Sequence, residues 1–301
     1  MSIPFDIKKT IAVKEEELSE PDISKAGFAP WSFSKLKTLQ QCPLKFYLQY
    51  VIKLKMPPAP PTLITTVGKA VHRVIELLIL GKSIQESYRL TRREKDFATT
   101  LTNQEWEDHV LTTEMNIIEF RQRLDAFEAK NPIKRYIQEM KIGVTNDYNP
   151  TAFFGDDVYY RGVIDLGMQL KSNDIILLDH KTGAPAIMGI NNFKGQLDTY
   201  KVLFHHGVEK VEGAQAGIHF VKDGKVILDH YIKKDEIEGK LVQELEFYMA
   251  AAVDHVKDLG YFKHVRGNWC KYCDYNDDCK KGNILDVELG TKRFFKLKEI
   301  K

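Results

Sequence analysis

The sequence predicts an α/β fold, a central mixed sheet flanked by helices with a helical insertion ahead of it. Three observations predict this. From about residue 32 to residue 130, outside a proline-rich loop, apolar residues recur at helical spacing. The segments 136–145, 158–170 and 174–180 are then short, β-branched or aromatic, and separated by Gly, Asn and Asp. A helix, a hairpin and a long helix follow, an order that fits a mixed sheet rather than a bundle.

Element by element, residues 1–30 show no clear period and carry the acidic run Glu15–Glu16–Glu17, which reads as an arm. A helix can start at Ser32 or Ser34, where either hydroxyl can cap, with Phe33, Leu36, Leu39 and Leu44 as its apolar face. Pro57–Pro58–Ala59–Pro60–Pro61 must be a loop, because proline cannot continue a helix. Val71, Ile75 and Leu78 place a second helix over 68–80, and 83–130 reads as further helix ending before Pro132. After the three strands comes a helix at about 192–206. A hairpin of 213–222 and 225–232 turns at Asp223–Gly224. Ile237, Leu241, Leu245, Tyr248 and Val256 line one face of a helix over 234–259. A cysteine cluster and a basic tail over 283–301 close the chain. The expected organisation is an arm (1–30), one domain (31–282) and the tail. Within the domain, the helical part covers about 68–130, the core 133–260, and the cysteine region 261–282 plus Cys42.

Composition bounds the rest. The chain has 301 residues, enough to bury a proper core, with 43% hydrophobic and 29% charged residues. No apolar run has the length of a signal peptide core or a bilayer span, so the cytoplasm is the expected compartment, or a host cell's cytoplasm for a viral protein. A net charge of +2 demands no polyanionic partner, so a nucleic-acid groove would need a local basic patch.

The chemistry concentrates in 162–181. Asp165 lies in GVIDLG, inside an apolar strand, and Asp179 and Lys181 lie in ILLDHKTG, at the end of the next. Residues i and i+2 of a strand share a side, so Asp179 and Lys181 point into one site and His180 points away. If the two strands pair, Asp165 joins them. Two close carboxylates repel unless a cation neutralises them, and a hard divalent ion such as Mg²⁺ or Mn²⁺ does so. Such an ion polarises a phosphoryl oxygen and acidifies a bound water, and Lys181 can hold that water or stabilise charge on the phosphate. Each acid alone reads as an ordinary strand-end residue paired with a surface lysine; the combination with an i+2 lysine does not.

An Asp, a strand and Asp-x-Lys resemble the core of PD-(D/E)XK nucleases, with their restriction-endonuclease-like sheet. The RecB-like branch adds an upstream Gly-x-x-x-His helix and a downstream Gln-x-x-x-Tyr, matched here by Gly68–His72 and Gln196–Tyr200. Gln196 and Tyr200 share a helix face. The resemblance, over roughly 32–282, implies metal ligation by His72, Asp165, Asp179 and the backbone carbonyl of His180. It implies a border of Gln196 and Tyr200 around the site and DNA, and, less securely, a further metal-facing acid at Glu139. The family often has tyrosine where this chain has His180.

Cys42, Cys270, Cys273 and Cys279 are the only cysteines, and three crowd into ten residues. This is ligand spacing rather than disulfide or core spacing. Four thiolates complete either a tetrahedral zinc site or a [4Fe–4S] cube. Zinc sites more often use paired Cys-x-x-Cys knuckles, and His264 is close enough to be a zinc alternative. One distant cysteine plus a C-terminal triplet is similar to the iron–sulfur nucleases of the AddB and CRISPR-associated RecB-like kind. The resemblance therefore implies a [4Fe–4S] cluster acting as a staple.

Basic and aromatic residues interleave at Lys45, Phe46, Tyr47, Tyr50, Lys53 and Lys55, and at Tyr261, Phe262, Lys263, His264, Arg266 and Trp269. Such mixtures suit single strands, or else combine a core face with a solvated one. No phosphate-binding loop is present, since Gly81–Lys82–Ser83 lacks the leading glycine, with Glu76 in its place. The chain therefore has no visible motor of its own. The leading expectation is a Mg²⁺- or Mn²⁺-dependent DNA exonuclease acting on single-stranded ends in recombination, repair or processing. Its partners would be a helicase, a recombinase or a single-strand-binding protein. Beside it stand a structure-specific endonuclease or CRISPR spacer-processing nuclease on the same fold, and a non-catalytic iron–sulfur DNA-binding subunit.

Overall fold

Ser32 caps the first described helix, α1 (Phe33–Gln41), accepting the Lys35 N–H at 3.2 Å. It satisfies one of the N–H groups that a helix start leaves open. The computed structural model describes residues 22–54, 61–183, 185–280 and 287–288. Most of the predicted proline loop, most of the tail and the first 21 residues of the arm lie outside them. The chain divides into two compact units, Pro60–Gln243 and a second made from Met1–Ala59 with Glu244–Lys301.

In the first of these units, α2 (Leu63–Ile79) starts earlier than the apolar period suggests, because Thr62 is a ready cap and accepts the Thr65 N–H. Helices α3 (Ile84–Arg93) and α4 (Glu114–Glu128) belong to the predicted insertion. The sheet contains β1 (Ile133–Val144), β2 (Pro150–Thr151), β3 (Tyr160–Leu170), β4 (Asp174–Lys181), β5 (Gly213–Phe220), β6 (Lys225–Leu228) and β7 (Ile232–Lys233). Their order is β2-β1-β3-β4-β5-β6, with β7 paired to β5. Helix α5 (Lys194–Gly207) joins β4 to β5, and these two strands alone run parallel. A crossover of that length is what a parallel pair requires. Leu166, Met168, Ile176 and Leu178 pack with Val71, Val74, Ile117 and Phe120 into one core. That burial fixes β3 against β4, because a one-residue slip would turn the whole apolar set outward.

The predicted hairpin differs in two details. Its turn is a 3₁₀ turn over Val221–Asp223, closed by Gly224 at φ +60°, a conformation suited to glycine. The predicted second strand breaks after Leu228. Asp229 leaves the ladder to accept the Ala216 N–H at 2.8 Å and to pair with the buried ammonium of Lys201. The chain then rejoins β5 at Ile232.

The second unit holds α1, a helical stretch over residues 43–51, most of α6 (Val242–Leu259) and the cysteine-bearing turns. Its core is aromatic: Phe28 lies 4.9 Å from Phe46, and Tyr47 lies 4.7 Å from Phe262. Phe46, Tyr47 and Phe262 are fully buried, so they cannot stack on bases. The expectation of nucleic-acid platforms at these aromatics is corrected accordingly; the pattern is a core face beside a solvated one. Lys55 lies outside the described residues. Phe28 is also buried, so the last residues of the expected arm are part of this unit. Among the described residues no helix is long and apolar enough to cross a membrane.

Candidate active site

The geometry of the site begins with Gly68. A Cβ there would lie 3.2 Å from Thr182 Oγ1, so its absence lets α2 run close past the end of β4. One turn on, His72 reaches the strand, and its Nε2 lies 2.8 Å from the His180 carbonyl oxygen. His72 Nδ1 faces Asp165 at 3.6 Å and Glu139 at 3.8 Å. His72, Glu139 and Asp165 offer ligand atoms all within 4.8 Å of one another.

A break in the sheet aims the two acids. The β1–β3 register passes from Gln138↔Leu166 to Met140↔Ile164, skipping Glu139 and Asp165, and Glu139 has φ +45°. A non-glycine residue in that region is strained and marks a site that its surroundings must hold. The β3–β4 ladder likewise ends at Leu166↔Leu178. Beyond it, Asp165 Oδ2 accepts the His180 N–H at 2.9 Å. Burial, followed by the charge of Asp179, pushes the Asp165 carboxyl up to about 7, while His72 and the His180 amide pull it down. Burial alone would depress His72, but the Glu139 and Asp165 carboxylates outweigh it and raise the imidazole above its ordinary value.

Asp179 is 3% exposed. Its Oδ1 accepts from Gln196 Nε2 at 2.8 Å and from the Tyr200 hydroxyl at 3.0 Å. Gln196 and Tyr200 therefore meet an acid side by side from one face of α5. Lys181 Nζ lies 2.7 Å from Asp179 Oδ2, an ion pair between a buried carboxylate and a partly exposed ammonium.

These donors fit a hard cation. One imidazole nitrogen and two carboxylate oxygens, all within 4.8 Å of one another, make a donor set that a divalent cation can draw together. Asp179 lies outside that group of three, with its Oδ2 paired to Lys181 and its Oδ1 to Gln196 and Tyr200. Three predicted ligands thus stand together, the His180 carbonyl touches one of them, and Asp179 is held alongside by Lys181, Gln196 and Tyr200. A cleft of about 400 Å³ leads from His72 and Glu139 along α2 to Arg73 and Glu94.

The His180 ring lies on the other side of β4. Its Nδ1 is 3.0 Å from His219 Nδ1, and Phe120 stacks on His219 at 4.1 Å. Burial holds both imidazoles neutral, His219 at about 3 and His180 well below its ordinary value. The pair packs the strand from behind; His219, which lies far from any motif, was missed in the sequence.

In the other unit, all four cysteines line one cavity with His264, Arg266 and Trp269. They are half-buried free thiols. Burial raises Cys273 and Cys279, and the neighbouring thiols add to it. Among the described residues no three of these sulfurs lie within 4.8 Å of one another.

The family profile described as the PD-(D/E)XK nuclease superfamily matches residues 30–280. A solved structure from Eubacterium rectale, whose exonuclease description is itself provisional, is 13% identical, covers 89% of this chain and 94% of that chain, and superposes with a TM-score of 0.46. The structure of SSO0001 is 16% identical, covers 79% and 94%, and gives a TM-score of 0.29. Superpositions this loose carry no weight beside the family match. Comparison with curated proteins returned no match.

Proposed function

This chain belongs to the PD-(D/E)XK nuclease superfamily, and from that premise we propose that it is a Mg²⁺- or Mn²⁺-dependent deoxyribonuclease acting on single-stranded ends. The observation that carries the reading is the convergence of His72, Glu139 and Asp165. His72, Glu139, Asp165, Asp179 and the His180 carbonyl would hold the ion. When bound, it supplies Lewis acidity at the phosphate and lowers the pKa of water.

The chain's own groups do the rest. Lys181 brings an ammonium to the same oxygens and can orient a water or a non-bridging phosphate oxygen. Gln196 and Tyr200 hold Asp179 Oδ1, leaving Oδ2 to Lys181. Asp165 anchors the His180 amide and so fixes the neighbouring carbonyl. The four cysteines are read as ligands of a [4Fe–4S] cluster, supported by their shared cavity and by the pattern of one distant cysteine plus a C-terminal triplet. Iron and sulfide analysis of protein purified without oxygen tests this; one zinc and no iron would replace the cluster.

Linear and circular single-stranded DNA, incubated with Mn²⁺ and with chelator, test the function. An end-dependent nuclease degrades the linear form and spares the circle. Cutting of the circle would favour the endonuclease reading. No cutting of either would favour a binding subunit.

A further inference from the structure

On the same hairpin, away from the metal-facing residues, β1 and β3 present a second feature. Ile142 and Val144 pack on Gly207 of α5, and Gly162 lies under Leu203. Alternation then turns Lys141, Gly143 and Arg161 to the side away from α5. Gly143 has no side chain, and the backbone of residues 151–153 lies directly over it, with Thr151 O, Ala152 O and Phe153 Cα all 3.1–3.3 Å from where a Cβ would sit. The turn that follows is pinned. Gly155 N–H donates to Ala152 O at 2.9 Å, and Thr151 Oγ1 donates to Asp157 Oδ1 at 2.5 Å.

This turn carries Phe153 and Phe154, edge to face at 4.8 Å. Phe154 is 76% exposed. The Arg161 guanidinium lies 5.0 Å from the Phe153 ring and 5.4 Å from Phe154, and donates to the Phe153 carbonyl at 3.1 Å. The Lys141 ammonium lies 5.9 Å from the Phe154 ring. Among the described residues, neither cation has a carboxylate partner in an ion pair; Asp157 is engaged by Thr151, and Asp156 is exposed in the turn.

We propose that Phe154, flanked by Lys141 and Arg161, is a stacking platform for an unpaired nucleobase of the strand being cut. The proposal rests on the nuclease reading and deepens it by assigning the preference for single strands to a surface. An exposed aromatic face between two uncompensated cations matches a ligand with flat bases and repeated phosphates. A duplex offers no free base face there, so only an unpaired strand gains from it. Arg161 stands four residues before Asp165 on β3, ~13 Å along the strand, and Lys141 two residues after Glu139 on β1. A strand engaged at the metal centre reaches the platform within a few nucleotides.

The test uses the full chain with three probes: a fluorescent oligothymidylate, a duplex of equal length, and the p-nitrophenyl ester of thymidine 5′-phosphate. The ester presents one phosphodiester and is too short to span both places. Phe154→Ala should weaken oligothymidylate binding and raise its KM by about 5- to 100-fold, the size of one base–aromatic stack. Duplex binding and ester hydrolysis should change far less. Phe154→Trp should retain binding, and Phe154→Leu, apolar but without a π face, should not. Lys141→Ala should flatten the salt dependence of binding by roughly 0.7 in log–log slope. If the parent cuts oligonucleotide and ester but Phe154→Ala or Phe154→Leu binds oligothymidylate like the parent, the platform is refuted and the nuclease reading stands. A parent that cuts neither removes the nuclease reading, and the platform with it.

Discussion

Asp165 sits where two demands conflict. It must be ionised to hold a cation, yet burial and Asp179 push its carboxyl up to about 7, against an ordinary 3.8. A carboxyl raised in the folded state contributes stability that is complete below its unfolded pKa and is lost as pH rises through the folded value. Without metal, the fold should therefore weaken between about pH 4 and pH 7. Asp165→Asn cannot ionise, so in chelator at pH 8 it should melt above the parent, by about 2–4 °C for each kcal/mol relieved. The gap should close towards pH 4, and Mn²⁺ should reverse the order, since only the parent gains from binding the ion. Melting curves at both pH values, with and without Mn²⁺, check this; a gap that does not change with pH would remove the conflict. At Lys181 the expectation concerns rate. Lys181→Ala should retain DNA binding and lose about 100- to 1,000-fold in turnover, the usual cost of one charge-stabilising donor. Single-turnover cleavage beside a binding titration separates the two effects.

Gly68 shows how an element, not only a residue, makes the site. Its missing Cβ lets α2 pass the end of β4, which sets the His72–His180 carbonyl contact. Gly68→Ala should leave the fold intact but raise the Mn²⁺ concentration needed for half activity several-fold. Adding Thr182→Ala removes the opposing hydroxyl and should restore it. Failure of that rescue would mean that helix approach is not what positions the imidazole. In the sequence the glycine was visible only as a motif letter. Asp179, Lys181, Gln196 and Tyr200 were legible because i+2 on a strand and i+4 on a helix fix which side chains share a side. The break at Glu139 and Asp165 was not legible, because a positive φ on a glutamate has no signature in a run such as IQEMKI. The buried aromatics Phe46, Tyr47 and Phe262 were misleading for a related reason. Interleaved basic and aromatic residues look alike whether the rings face a core or a strand of DNA, and only burial separates the cases.

For the molecule as a whole, two kinds of site sit in two compact units, acids and an imidazole in one and four thiols in the other. Cys42 and Cys279 belong to the same unit but to its two separate chain segments, so a cluster joining them would close a long loop and be linked to folding. Cys42→Ala and Cys279→Ala should lose iron and thermal stability together, with cleavage falling only as the folded fraction falls. A variant without iron that melts like the parent would remove the staple. The most direct test of the central claim is at the acids. Linear single-stranded DNA carrying an end label is incubated with parent and with Asp179→Ala, in Mn²⁺ and in chelator, and release of label is followed. The expected result is release by the parent in Mn²⁺ alone and none by Asp179→Ala. Full release by Asp179→Ala, or by the parent in chelator, would contradict a metal-dependent site built on His72, Asp165 and Asp179.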